Sequence, residues 1–174
     1  MTRFALVFSA VLLGLFTLEL LEPVQAAVIQ PFTAMLADVS AALMMLTDEH
    51  VRASGRIISH AQTGFAVSIE AGCNGVEATI VLIAGVLACP AATRDKLIAI
   101  VAGFVAIQVL NTLRIISLFY LGQWNVDVFM WTHLYLWPVL IMLDVLVVFV
   151  VYLRYLARGQ DSPARAGSAQ GRGA

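Results

Sequence analysis

The chain has 174 residues, 61% of them hydrophobic and only 12% charged, with a formal net charge of −1. Its mean hydropathy is +0.91. A soluble domain of this length cannot hide that much apolar surface, so the composition predicts an all-α polytopic membrane bundle, and with no basic stripe nucleic acid is not an expected partner.

In chain order, the first apolar run covers residues 4–21 behind Arg3. Val24-Gln25-Ala26 resembles a signal-peptide cleavage site, but the run is longer than a usual signal core, and an uncleaved first span is expected. Residues 23–47 are apolar but interrupted by Gln25, Gln30, Pro31 and Asp38, the pattern of an outer amphipathic helix packed on the bundle or lying in the interface rather than of a span. Residues 56–71 alternate loosely, Ile58, Phe65, Val67 and Ile69 with polar neighbours, and Gln62-Thr63-Gly64 supplies the turn of a short hairpin. Further spans are expected at about 75–89, 97–121 and 134–156, which makes about four transmembrane helices. Trp124, Trp131, Trp137, Tyr120 and Tyr135 gather at one boundary, as interfacial aromatic residues do.

Positive charge sets the expected orientation. Arg3, Arg94, Lys96, Arg154, Arg158, Arg165 and Arg172 all fall on one side if 23–47 is not a span, which makes both termini cytoplasmic and the hairpin extracytoplasmic. The predicted organisation is one membrane-embedded domain over 1–158 and a disordered cytoplasmic tail over 159–174, rich in Gly, Ala, Ser and Arg.

This topology brings three reactive residues to one side of the bilayer. Cys73 precedes the first turn of its span, where helix-end N–H groups and a nearby Arg114 are expected to favour a thiolate. Gly72 and Gly75 beside it allow close approach of a substrate backbone. Arg114 lies roughly 10 Å below the boundary, where an unpaired arginine costs on the order of 2–3 kcal/mol. Asn111, one turn away, extends its polar patch, and Glu77 is the expected ion-pair partner; the bland alternative for Arg114 is snorkelling to the interface. His133 opens the last span, after an expected aromatic loop over Trp124–Thr132, and is the expected general acid or base, whereas His50 and His60 read as surface residues. Cys89, roughly 24 Å from Cys73 along the intervening helix, is beyond disulfide reach and reads as a packing residue. Asp144 reads as a hydrogen-bonded carboxyl facing Gln108, and Glu19 is treated alike. No ligand spacing for a metal exists, no Cys-x-x-Cys, and no serine elbow.

Ala71-Gly72-Cys73-Asn74-Gly75, Leu110-Asn111-Thr112-Leu113-Arg114 and Thr132-His133-Leu134, each at the end of a membrane helix, together resemble the exosortase/archaeosortase family over about residues 55–155. The short length is most like its compact exosortase H subtype, while Asn74 stands where many relatives carry Ser. The resemblance implies a thiol protease and transpeptidase of the bacterial cell (inner) membrane, with its site on the extracytoplasmic face and no cofactor. Its partners would be secreted proteins ending in a recognition motif, a membrane helix and a basic tail, together with an acceptor nucleophile and the lipid bilayer. Cys73, Arg114 and His133 would be catalytic, with Asn111, Glu77 and Asn74 in support. The competing reading is a non-enzymatic assembly or transport subunit whose Arg114, Glu77 and Asp144 form a buried polar network.

Overall fold

A computed structural model describes residues 2–160. The expected disorder of the tail concerns residues that lie largely outside this range. The first apolar run forms α1 (Thr2–Glu19). A second helical stretch is built from α2 (Glu22–Val24), a π-helical turn (Gln25–Ile29) and α3 (Gln30–Met44). Three short strands follow, β1 (Val51–Ser54), β2 (Ile57–His60) and β3 (Ala66–Ser68). Then come α4 (Val76–Ala88), α5 (Thr93–Trp124), α6 (Val126–Trp131), a second π-helical turn (Thr132–Leu136) and α7 (Trp137–Gln160).

Among the described residues, four stretches are long and apolar enough to cross a membrane: Thr2–Glu19, Glu22–Met44, Thr93–Trp124 and Val126–Arg158. Only 6% of the hydrophobic window of α1 is buried within the chain. Leu6, Leu13, Val109, Val139 and Leu146 are likewise exposed, so lipid must cover them. The chain is an all-α, multi-pass membrane bundle.

The expected membership of the spans changes. With 13 residues, α4 is the short one, roughly 20 Å and less than a hydrocarbon core. Glu22–Met44, not expected as a span, has the length and composition to cross. At its start, Gln25 Nε2 donates to the Glu19 carbonyl at 2.7 Å, and Glu19 lies within electrostatic reach of Glu77. In its middle, Thr33 Oγ1 accepts from Asn74 Nδ2 at 3.2 Å. At its far end, Ala41 and Met44 pack with Val51, Ile58 and Phe119. These contacts pack it against α5, the sheet and the loop before α4.

Two apolar clusters organise the interior. One joins α3, the sheet and the upper part of α5 through Leu36, Ala37, Val51, Ile58, Ile115 and Phe119. The other joins α4, α5 and α7 through Ala78, Leu82, Ile107, Ile141 and Val145. Gly103 of α5 shows how tight this second contact is, since a Cβ there would collide with Leu82 and come within 2.9 Å of Val148.

The hairpin expected at 56–71 forms as β2–β3, with β1 as an additional strand; the order is β1-β2-β3, antiparallel throughout. Registers Ala53↔Ile58 and Ile58↔Val67 align one face, which is set against α3 and α5. His60 is not the surface residue expected. It is buried, its Nε2 lies 3.2 Å from Asp48 Oδ2, and its Nδ1 accepts from the Thr63 N–H at 3.2 Å. The ring thus ties the β2–β3 turn to the end of the preceding helix.

Candidate active site

Between β3 and α4 the chain makes a tight loop over residues 70–75. Gly72 and Gly75 have φ of 82° and 76°, a region that L side chains avoid, so glycine is needed at both. A Cβ on Gly75 would also lie 2.8 Å from Gln108 Nε2. Asn74 finishes the loop: fully buried, it accepts from the Val76 N–H at 3.1 Å and donates to Thr33. It therefore ties loop, α4 and α3 together. These restraints aim Cys73 at α5.

Arg114 meets it there. Its Nη2 is 3.3 Å from Cys73 Sγ and its Nη1 donates to the Gly72 carbonyl at 3.2 Å. The side chain is buried, so it does not snorkel. Nor does it pair with Glu77, as expected; no such ion pair exists among the described residues. Glu77 Oε1 instead accepts the Gly72 N–H at 2.5 Å. Gly72 is thus held at its N–H by the carboxylate and at its carbonyl by the guanidinium. Asn111 is completely buried on α5, and its amide has no hydrogen-bond partner among the described residues, so it does not join Arg114 in a bonded patch. The amide of Gln108 and the Oδ2 of Asp144 are also without partners, so the expected bond between these two residues is not formed.

The surroundings of Cys73 act on its ionisation in both directions. Burial pushes the thiol up; the Arg114 guanidinium opposes that shift, and the Glu77 and Glu70 carboxylates reinforce it.

His133 arrives from the other side. The residues expected to form a loop before it are helical, because Asn125 caps α6 by accepting from the N–H groups of Asp127 and Val128 at 2.8 and 3.1 Å. Asn125 before an apolar run with Asp127 in the first turn was the signal for this helix. His133 consequently sits inside a long helical stretch, on the π-helical turn, and stacks parallel to Phe129 with ring centroids 5.6 Å apart. Cys73, Arg114 and His133 line one small cavity of about 50 Å³ together with Ser68, Ile115 and Phe129. It adjoins a larger one of about 290 Å³ that Cys73 and His133 share with Phe65, Ala66, Ser68 and Phe129. Phe129 and the β3 residues carried no chemical signature in the sequence and emerge only from the fold. Cys89 ends α4, buried in the apolar cluster of α4, α5 and α7.

The family model described as transmembrane exosortase matches residues 2–156. The chain belongs to the transmembrane exosortase family. No curated protein and no solved structure matches it. The match takes in α1 and nearly all of α7 besides the cavity, and membership assigns a membrane, protein-sorting transpeptidase kind of function.

Proposed function

We propose that this exosortase cleaves C-terminal sorting signals of secreted proteins through a thioester on Cys73 and transfers the new terminus to an acceptor nucleophile. The observation that carries the reading is the 3.3 Å contact between Arg114 Nη2 and Cys73 Sγ, in a cavity that His133 also lines. Because desolvation disfavours the thiolate, attack and proton transfer go together. As the sulfur bonds to the scissile carbonyl carbon, the His133 imidazole takes the thiol proton, and the carbonyl pair moves to oxygen. Arg114 then donates to that oxyanion from a site already short of water. Collapse expels the amine, which receives the proton from His133, and leaves the thioester. In the second half the imidazole deprotonates the acceptor, whose attack regenerates the thiol.

Delivery suits a substrate with its own membrane helix, which would bring the cleavage point to the depth of Cys73. The distribution of Arg and Lys supports an extracytoplasmic site, cytoplasmic termini and residence in the cell (inner) membrane. The reading of a purely structural polar network of Arg114, Glu77 and Asp144 is weakened because Arg114 bonds to Gly72 and Cys73, Glu77 bonds to the Gly72 N–H, and Asp144 Oδ2 has no partner among the described residues.

The test is processing of a tagged precursor in cells. Cys73→Ala, Arg114→Ala and His133→Ala should each leave uncleaved precursor while the enzyme accumulates in the membrane, and Cys89→Ala should process normally. Normal processing by Cys73→Ala would eliminate the proposed nucleophile.

A further inference from the structure

We infer that the open edge of β3 is the docking strand for the substrate, which binds as an extended peptide backbone added to the sheet beside Cys73; this rests on the proposed function above and specifies how that site takes its substrate. In the order β1-β2-β3 the last strand has a neighbour on one side only among the described residues. Which of its backbone groups are free follows from the ladder. The Phe65 carbonyl accepts the His60 N–H at 2.9 Å, and the Arg56 carbonyl accepts the Ile69 N–H at 2.9 Å. Antiparallel pairs alternate, so Phe65, Val67 and Ile69 turn their backbone groups to β2, whereas Ala66 and Ser68 turn theirs to the open edge. Both residues are exposed. Both also line the 290 Å³ cavity that contains Cys73 and His133.

An edge of alternating, unpaired N–H and C=O groups is the complement of an extended chain. A lipid tail would leave those groups unmet, and a helix has already spent its own. The partner strand would be short, because β3 has three residues. Phe65 and Phe129 flank the same space and offer apolar walls to its side chains. Pairing of this kind reads the backbone, holds the peptide straight and leaves the carbonyl that follows it to the sulfur.

The test uses the full-length chain in detergent micelles and a randomised N-acetyl pentapeptide aldehyde pool. The thiol of Cys73 adds across the aldehyde: a C–S bond forms, the carbonyl pair moves to oxygen, and oxygen takes the thiol proton. Capture is read by mass as protection of Cys73 from iodoacetamide. Each amide nitrogen of the best-binding aldehyde is then methylated in turn. Methylation at alternate residues should weaken capture at least about tenfold, as expected for losing a backbone hydrogen bond and adding a clash at the edge, while the intervening positions stay within about twofold. Uniform tolerance, or losses without alternation, would overturn the docking strand. Ala66→Pro, which deletes an outward N–H, should weaken capture of the unmethylated aldehyde while iodoacetamide reacts with Cys73 at the wild-type rate; unchanged capture contradicts the proposal. If Ala66→Pro also alters the iodoacetamide rate, the methylation series on the unaltered chain decides. Failure of every aldehyde to protect Cys73 would remove the thiol-enzyme reading itself, whereas capture that ignores methylation removes only the docking strand.

Discussion

The half-buried thiol of Cys73, whose ionisation desolvation disfavours, sets the terms for the other side chains in the cavity. A preformed thiolate would need only a well-placed carbonyl; a protonated sulfur needs a base at the moment of attack, and His133 lines the same wall. The linkage follows from the sign of the shift. A thiol whose folded value lies above the ordinary one holds its proton more tightly in the native state, so its contribution to stability is complete below about pH 8.5 and is lost as pH rises through the higher native value. Alkylation of Cys73 by iodoacetamide should therefore show its midpoint above that of free cysteine. Arg114→Gln should move the midpoint further up, because the guanidinium opposes the effect of burial; a midpoint below that of free cysteine would contradict this account. Glu77 acts through the loop rather than through Arg114. Glu77→Ala should reduce processing several-fold by freeing the Gly72 N–H, a hydrogen bond worth about 0.5–1.5 kcal/mol, and Glu77→Gln, which keeps an acceptor oxygen, should restore most of it. Equal loss in both variants would show that the charge matters instead.

The elements that carry these residues differ in how visible they were beforehand. The first span, the two C-terminal spans and the three polar positions are legible because long apolar runs and isolated polar residues within them have few alternative explanations, whereas Glu22–Met44 hides its length behind Gln25, Gln30, Pro31 and Asp38. The 70–75 loop could be anticipated from Gly72 and Gly75, but not its hydrogen bonds, since Glu77 could reach either Arg114 or the loop. The helical extension before His133 is masked by the aromatic content of Trp124–Thr132, which suits an interfacial loop equally well, and only the Asn125 cap marks it. Strand β1 was missed because Arg52 and Ser54 gave its four residues too little apolar pattern, although Val51 is fully buried. Two measurements belong here. Asn125→Ala should cost about 1 kcal/mol of stability by removing a helix cap and lower the thermal midpoint in micelles. Gly75→Ala should cost about 1–2 kcal/mol from the left-handed backbone alone, with a further penalty from the contact with Gln108. Wild-type stability in Gly75→Ala would mean that the loop relaxes at no cost, against the geometry described.

For the whole molecule, the topology proposed from the Arg and Lys distribution has α1, α4, α5 and α7 pass in turn, which puts both termini at one end and the sheet, loop 70–75 and second π-helical turn at the other. The helix Glu22–Met44 closes that second end from the side, tied by Thr33 to Asn74 and by Met44 to the sheet. A C-terminal reporter should accordingly report the cytoplasm, with the Cys73 cavity facing out; an exported reporter would invert the assignment. The catalytic account rests on a covalent link between substrate and Cys73. It is tested most directly by purifying the chain from cells that express a tagged precursor, quenching in acid, and weighing the peptide that contains Cys73. The expected result is the mass of the precursor's cleaved fragment attached at Cys73, released by hydroxylamine and absent in Cys73→Ala. Continued processing with no such adduct on Cys73, or an adduct on Cys89 instead, would contradict it.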